Sequence, residues 1–291
     1  MLSNKTRFVK QMDIDRYLAR IGLDHRPPPT LAGLTEVHAA HLLSIPYENL
    51  DIQLGRPVSL DMPAIYDKVV NRRRGGWCYE MNGILGWALK ELGFEVGRAT
   101  GAVMRELMGE MMVANHLVLR VALEEGVFLA DVGVGGGPID PLPVKEGSFT
   151  SRGFSYGLEK LEDGWWRFRN MPNSAPPSFD FHLAPADETK FAAQCAVLQS
   201  DPASHFVLNL FCFRHRGGHI LMLRGRVLRT LHPDTQYTDR LLESAGDLVA
   251  TLRDDFDLDL PEAASIWPKV CVRHEELLAA ENASPAAGAR T

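Results

Sequence analysis

The sequence predicts an α+β protein in which helices come first, strands follow, and the chain folds as two or three interlocked lobes. Apolar residues recur at helical spacing up to Gly93, whereas short segments rich in β-branched residues, separated by hairpin turns, begin at Glu95. A length of 291 residues with 45% hydrophobic and 23% charged side chains allows a substantial core. That length exceeds one minimal core but is short for three independent domains.

The first ninety residues have the pattern of helices. Apolar side chains are spaced as in helices over 13–21, 30–41, 61–70 and 77–92. Thr30 and Asp61 are suited to cap the second and third of these segments, and Gly93 is suited to end the fourth. His38 and His41 are expected to cover the surface of the second helix.

Residues from Glu95 onward have the pattern of strands. Strands are predicted over 96–104, 116–123, 127–134, 153–161, 165–170, 206–214, 219–223 and 226–231. Glu124–Gly126 and Glu162–Gly164 are predicted hairpin turns. A terminal helix is predicted over 241–252, and the segment 281–291, rich in Ala, Ser and Gly, is expected to be disordered.

The net charge and the cysteine spacing indicate which binding partners and which cellular compartment are expected. The net charge is −6, and the basic run Arg72–Arg74 is short, so no nucleic-acid partner is expected. No membrane partner is expected either, because no window approaches the roughly 18 apolar residues of a membrane span. The N-terminal residues lack the apolar stretch of a signal peptide. Cys78, Cys195, Cys212 and Cys271 form no CxxC pair, which predicts no metal site and free thiols in a reducing, cytoplasmic compartment.

Cys78 is the strongest candidate nucleophile. Gly75 and Gly76 precede it and allow a sharp turn and a close approach to a ligand. Cys78 then falls in the first turn of a predicted helix, where free N–H groups and the helix dipole favour a thiolate. The same N–H groups could hold an oxyanion. A buried structural cysteine at a helix start is an alternative that the sequence leaves open.

A thiolate nucleophile needs a base and a group that orients the base. His116 begins one predicted strand, and Asp131 lies near the end of the next, where an unpaired carboxylate in apolar surroundings is costly. An imidazole partner would remove that cost, and Asp131 would fix its tautomer. A strand-end histidine and a turn-capping aspartate are the alternatives. A tight hairpin through Glu125–Gly126 places Asp131 opposite residue 119 or 120, so twist or a bulge has to bring the pair together.

Other motifs are weaker. Gly133 and Gly135 make their segment flexible enough to admit a cofactor, but the lysine and hydroxyl ending of a phosphate-binding loop is missing. No Gly-x-Ser-x-Gly elbow occurs, which disfavours a serine hydrolase. The charge pattern gives no obvious phosphate-binding cluster, although Arg214, Arg216 and Arg224 are candidates.

The segment Arg74–Asn82, with the sequence RGGWCYEMN, resembles the active-site signature of the arylamine N-acetyltransferases. Further segments resemble that family in the same order along the chain: 45–50, 54–57, 115–117, 131–135, 138–142 and 200–206. The resemblance covers about residues 10 to 260, and the joint pattern is highly specific.

This resemblance implies a fold of three parts, with boundaries near Gly93 and in the Pro- and Ser-rich stretch Pro172–Pro185. The parts are an N-terminal helical domain at 1–93, a central β-barrel-like domain at 94–185 and a C-terminal α/β lid at 186–280. It also implies a site like that of cysteine proteases. Cys78 in the first domain is the nucleophile, and His116 and Asp131 in the second complete a catalytic triad.

The resemblance further implies acetyl-coenzyme A as the donor, arylamines or arylhydrazines as acceptors, and no metal. Tyr47, Val103, Val134 and Phe206 are expected to bind the acceptor, and Gly133 and Gly135 the coenzyme. Tyr47 and Val134 stand where the family usually has phenylalanines, so the preferred amine is not fixed. Arg74 and Glu48 are expected to form a buried ion pair. A monomer or a homodimer is expected.

The expected function is a ping-pong transfer through an acetyl-cysteine, which would serve xenobiotic metabolism. Two other functions stay open. A thiol hydrolase or a transglutaminase-like enzyme could use the same Cys, His and Asp order. A protein without catalysis could keep the scaffold and sequester small amines or coenzyme A.

Overall fold

The structure is a computed structural model and describes residues 12–283. The α-helices within this range are α1 (Ile14–Arg20), α2 (Leu31–Ser44), α3 (Leu50–Gln53), α4 (Met62–Tyr66), α5 (Cys78–Glu91), α6 (Arg105–Met108), α7 (Glu188–Ser200), α8 (His205–Leu208), α9 (Ala245–Phe256) and α10 (Trp267–Ala283). A π-helical segment, Asp67–Asn71, follows α4, and 3₁₀ segments cover Gly109–Met112 and Pro261–Ile266. No helix in this range combines the length and the apolar character needed to cross a membrane.

The strands form two antiparallel sheets. They are β1 (Tyr47–Glu48), β2 (Glu95–Val103), β3 (His116–Leu123), β4 (Gly126–Ala130), β5 (Leu142–Pro143), β6 (Gly147–Ser151), β7 (Phe154–Lys160), β8 (Trp166–Arg169), β9 (Ser178–Pro185), β10 (Phe211–Arg216), β11 (His219–Arg224), β12 (Val227–Leu231) and β13 (Tyr237–Leu241). Eight strands, in the order β5-β4-β3-β2-β9-β8-β7-β6, form a nearly closed, barrel-like sheet. The others form a five-stranded sheet in the order β1-β10-β11-β12-β13. The α+β architecture predicted from the sequence is confirmed.

Local sequence signals set several of these boundaries as predicted. The side chains of Thr30 and Asp61 accept N–H groups at the starts of α2 and α4. Gly93, with φ +89°, follows the end of α5 in the left-handed region that glycine tolerates. The hairpin between β3 and β4 pairs Leu123 with Gly126, so the predicted turn is confirmed.

Helix α5 packs against the barrel-like sheet. Its side chains Ile84 and Leu85 share one buried cluster with Leu119 and Val121 of β3. Gly86 faces β3 so closely that a Cβ there would lie 3.1 Å from the Leu119 side chain. The first residue of α5 is thereby held beside the start of β3.

Strand β10 of the five-stranded sheet packs against the barrel-like sheet through its side chains. Alternate side chains of a strand point to opposite faces. Phe211 and Phe213 therefore pack with the barrel interior, in a cluster that includes Phe179 and Phe181. Cys212 points the other way, into the cluster beneath α9 and α10. The five-stranded sheet is thus buried on both faces, and its aromatic face meets the barrel.

The predicted strand over 206–214 is wrong in its first half. Ser204 accepts the N–H of Phe206 and starts the short helix α8, and the strand begins only at Phe211. The amide of Asn209 then donates to the carbonyl of His205 and closes the helical turn. The three-residue apolar run Phe206–Leu208 has no period that distinguishes helix from strand, so local capping decided the outcome.

The predicted terminal helix over 241–252 is also misplaced. Residues Tyr237–Leu241 add a last strand to the sheet, and the side chain of Ser244 caps α9, which ends at Phe256. A further helix, α10, follows it. Of the tail expected to be disordered, residues 281–283 continue α10, and residues 284–291 lie outside the described range.

The expectation that His38 and His41 cover a helix surface is wrong, since both are fully buried. Nδ1 of His41 lies 2.8 Å from the hydroxyl of Tyr17. Nδ1 of His38 lies 2.7 Å from the carbonyl oxygen of Ile139. Both partners come from outside α2, so the sequence of the helix alone does not predict that the two rings are buried.

Candidate active site

A cavity of about 410 Å³ lies where α5, the barrel-like sheet and the five-stranded sheet meet. Its volume falls in the usual range of small-molecule sites. The lining residues are mostly apolar or aromatic: Tyr47, Cys78, Val103, Met104, Met108, Met112, Asn115, His116, Gly133, Val134, Gly135, Ala175, Pro176, Pro177, Leu198, His205, Phe206, Phe211, Phe213 and Arg224. Cys78 and His116 are buried in its wall.

Cys78 is the first residue of α5, so its own N–H is not used inside the helix. The preceding glycines are required by close contacts. A Cβ on Gly75 would overlap the carbonyl oxygen of Pro46, and one on Gly76 would lie 2.7 Å from the Glu80 carboxylate. Glu80 in turn accepts the N–H of Trp77 at 3.2 Å, which caps the helix at the residue before Cys78. These contacts fix where the thiol stands.

A network of buried ion pairs supports this turn. Lys68 lies 2.9 Å from Glu80 and 2.9 Å from Asp51. Arg74 lies 3.2 Å from Asp51 and 2.7 Å from Glu48, so the predicted buried pair of Arg74 and Glu48 is confirmed. Burial acts to lower the pKa of Lys68, but the surrounding carboxylates raise it above its ordinary value. Lys68 is therefore charged and holds the carboxylate that caps the helix of Cys78.

Replacing Lys68 by methionine is expected to lower the free energy of unfolding by about 3–5 kcal/mol, because the Glu80 carboxylate would stay buried without its cation. Urea denaturation followed by tryptophan fluorescence measures the change. The matched control is Arg72→Met, which breaks an exposed pair with Asp67 and should cost less than about 1 kcal/mol. Equal losses in the two variants would contradict a supporting role for Lys68.

His116 and Asp131 are in direct contact. Nε2 of His116 lies 2.7 Å from Oδ2 of Asp131, and both side chains are buried. The register pairs Leu119 with Ala130, which places Asp131 opposite Val118. Because side chains alternate along a strand, His116 lies on the same face as Val118 and is the diagonal neighbour of Asp131. A tight hairpin through Glu125–Gly126 therefore does bring His116 and Asp131 together, as diagonal neighbours and not as directly opposite residues.

The Asp131 carboxylate accepts two further hydrogen bonds. Oδ1 accepts from Nδ2 of Asn82 at 2.7 Å and from the N–H of Gly133 at 2.8 Å. The N–H of Asp131 donates to Nε2 of His38, 3.1 Å away. Burial acts to raise the pKa of Asp131, but His116 and these donors lower it below its ordinary value. Asp131 is therefore an ionised carboxylate in a fixed position.

The ring of His116 is held as a cation. Burial acts to lower its pKa, but the charge of Asp131, the hydrogen bond to Asp131 and a hydrogen bond with Cys78 raise it to about 10. Since Nε2 faces Asp131, Nδ1 is the nitrogen left for the thiol. The Sγ atom of Cys78 also lies 3.8 Å from the carbonyl oxygen of Asn115. The imidazole of His116 therefore lies between the carboxylate of Asp131 and the thiol of Cys78.

The residues expected to contact ligands all line the cavity: Tyr47, Val103, Val134, Phe206, Gly133 and Gly135. Burial raises the pKa of Tyr47 well above its ordinary value, so its hydroxyl stays neutral. Close packing also explains why glycine is needed at positions 133 and 135. A Cβ on Gly133 would lie 2.7 Å from Cα of Cys78, and one on Gly135 would overlap the ring of Phe213.

Sequence reasoning missed several parts of the lining. Met104, Met108 and Met112 come from the short helices after β2, and their spacing of four residues was an available signal. Phe211 and Phe213 reach the cavity from β10 because they alternate with Cys212. Arg224, a candidate for phosphate binding in the sequence, also lines the cavity, whereas Arg214 and Arg216 are not among the lining residues. Within residues 12–283, no group of three or more His, Cys, Asp and Glu side chains could hold a metal ion.

Comparisons with known proteins cover most of the chain. A family model described as N-acetyltransferase matches residues 30–265. An arylamine N-acetyltransferase from Mycolicibacterium smegmatis is 36% identical over 260 residues, which are 87% of this chain and 94% of the relative. The structure of Mycobacterium marinum arylamine N-acetyltransferase matches with a TM-score of 0.81 at 30% identity, over 89% of this chain and 98% of that chain. A structure of the M. marinum enzyme in complex with CoA matches with a TM-score of 0.80 at 30% identity, over 91% and 99% of the two chains.

Proposed function

The chain belongs to the arylamine N-acetyltransferase family of acyltransferases, and we propose that it moves an acetyl group from acetyl-coenzyme A to an aromatic amine or hydrazine through Cys78. The observation that carries this proposal is that Cys78 and His116 line the same apolar cavity, where His116 is hydrogen-bonded to Cys78 and lies 2.7 Å from the buried carboxylate of Asp131. A buried carboxylate that orients an imidazole toward a thiol is the arrangement that nucleophilic acyl transfer needs.

In the first step, the Cys78 thiolate attacks the thioester carbonyl of acetyl-coenzyme A. The N–H of Cys78, free at the first residue of α5, is placed to donate to the oxyanion that forms. The carbon–sulfur bond to the coenzyme then breaks, and the His116 imidazolium gives its proton to the departing thiolate. Cys78 is left as an acetyl thioester, and His116 is left neutral with Nε2–H still directed at Asp131.

In the second step, the amine attacks the acetyl carbon on Cys78. His116 is neutral at this stage, so its Nδ1 takes the proton that the amine loses. The carbon–sulfur bond to Cys78 breaks, and the thiolate returns beside the imidazolium. Because the coenzyme leaves before the amine reacts, parallel lines are expected in double-reciprocal plots.

The walls of the cavity support an aromatic acceptor. The rings of Tyr47 and Phe213 lie 5.7 Å apart, and those of Phe211 and Phe213 are stacked at 5.9 Å. Val134 adds an aliphatic surface beside them. Such walls favour a flat, apolar ring over a charged or strongly polar amine.

We also place the activity in the cytoplasm, since the cysteines of the described range are free thiols.

The test is intact mass after the protein is mixed with acetyl-coenzyme A alone, followed by peptide mapping. One acetyl group on the Cys78 peptide is expected, and an aromatic amine should remove it and appear as the acetylated product. Loss of the acetyl group to water at the same rate with and without the amine would point to a hydrolase instead. Coenzyme binding without an adduct would point to a sequestering protein.

A further inference from the structure

Arg224 is the charged residue that stands out at the cavity. Among the lining residues found within 12–283, it is the sole Arg, Lys, Asp or Glu. Arg224 is exposed, whereas Cys78 is only 3% exposed. Arg224 therefore stands at the mouth of the cavity, and Cys78 stands at its floor.

The charge of Arg224 is not neutralised by the protein. Within the described range its guanidinium makes no hydrogen bond and no ion pair, and it lies 5.9 Å from the ring centroid of Phe211. Nearby arginines differ in this respect. Arg229 lies 2.8 Å from Asp239, and Arg273 lies 2.9 Å from Glu276. A cation left unpaired beside an apolar cavity is available to an anionic ligand.

His205 adds a neutral donor to the same wall. Its ring lies 4.7 Å from that of Phe211. Nδ1 of His205 lies 3.1 Å from the amide nitrogen of Asn209, which can only donate, so Nδ1 accepts and the ring hydrogen sits on Nε2. Burial, Arg224 and Arg273 lower the pKa of His205 and keep the ring neutral. Arg224 and His205 thus both lie near the ring of Phe211 and offer the cavity a guanidinium and an N–H donor.

We propose that Arg224, with His205 beside it, binds a phosphate group of the acetyl donor and guides the coenzyme in past Phe211. This inference rests on the proposed function. The thioester has to reach Cys78 at the floor, so the phosphates at the far end of the pantetheine arm have to lie at the mouth. A guanidinium binds phosphate in a bidentate fashion, and the attraction offsets the repulsion of an anionic donor by a chain of net charge −6.

The experiment compares two donors with the same thioester and pantetheine arm. Acetyl-coenzyme A carries the phosphates, and S-acetylpantetheine does not. The second-order rate constant for acetylation of Cys78 is measured by rapid quench and intact mass, and the ratio of the two constants reports the phosphate contact. For Arg224→Ala the ratio is expected to fall about tenfold, and Arg224→Lys should keep part of it. Added NaCl should lower the ratio of the unmodified protein.

The matched control is Arg16→Ala, at an exposed position of α1 distant from the cavity lining, which should keep the original ratio. An unchanged ratio for Arg224→Ala would overturn the inference. So would a loss for 4-aminobenzoate relative to aniline as acceptor, which would assign Arg224 to a carboxylate on the amine. If neither donor acetylates the unmodified protein, the proposed function fails as well, and the two failures are thereby distinguished.

Discussion

Replacing Cys78 by alanine is expected to lower the rate of acetyl transfer by about 10⁴-fold or more and to leave no acetylated protein. The fold should persist, because removing one buried sulfur atom costs only about 1 kcal/mol. Rapid-quench mass spectrometry with acetyl-coenzyme A measures the first loss, and thermal unfolding measures the second. Transfer at a rate within tenfold of the original would remove Cys78 from the mechanism.

Cys195→Ala is the matched control. Cys195 is as buried as Cys78, at 3% exposed, and belongs to the same apolar cluster. Burial raises the pKa of the Cys195 thiol to about 12, so it stays a thiol at neutral pH and lacks the nucleophilic form. This variant should keep most of the activity. A loss equal to that of Cys78→Ala would mean that packing around the cluster, and not the thiolate, governs the rate.

Replacing Asp131 by asparagine is expected to lower the acetylation rate by about 10³- to 10⁴-fold, although the two side chains have nearly the same shape. An asparagine amide donates where the carboxylate accepted, so His116 would place its hydrogen on Nδ1 and could no longer accept a proton from the thiol. The imidazolium would also lose its counter-charge. The rate of Cys78 alkylation by iodoacetamide, measured against pH, separates these effects from a loss of fold.

The same variant should change how stability depends on pH. Folding raises the pKa of His116 to about 10. The stabilisation of the folded state by charged His116 is therefore complete below the unfolded pKa of about 6.5, and it is lost as the pH rises through 10. Folding lowers the pKa of Asp131. The stabilisation by the ionised Asp131 carboxylate is therefore present above about pH 4 and is lost as the pH falls. Urea denaturation at a series of pH values should show both dependences in the original protein and neither in Asp131→Asn.

Asp180→Asn controls for the loss of a buried carboxylate. Asp180 is fully buried, lies 2.6 Å from Arg167 and 3.2 Å from Arg105, and is not among the residues that line the cavity. Its replacement should cost about 3–5 kcal/mol of stability, as expected for a broken buried pair, yet leave the acetylation rate of the folded protein near the original. A comparable loss of acetylation rate in the two variants would show that stability alone explains the effect of Asp131→Asn.

The sequence by itself determined that helices come first and strands follow, and it placed Cys78 in the first turn of a helix. Those features depend on short-range chemistry. Apolar periodicity, the hydroxyl of Thr30 and the carboxylate of Asp61 set helix starts within a few residues of their own position. The two glycines before Cys78 likewise act on the adjacent turn. Strand β3 begins and ends at its predicted residues because its apolar run is bounded by a clear hairpin turn.

Only the tertiary structure decided how distant groups meet. The strand register made His116 and Asp131 diagonal neighbours, and it also made Asp131 the partner of a histidine on α2 that the local sequence placed at the surface. The cavity wall at Arg224 depends on how the five-stranded sheet closes against the barrel. A polar side chain can be buried or exposed with the same local sequence, because its hydrogen-bond partners come from elsewhere in the chain.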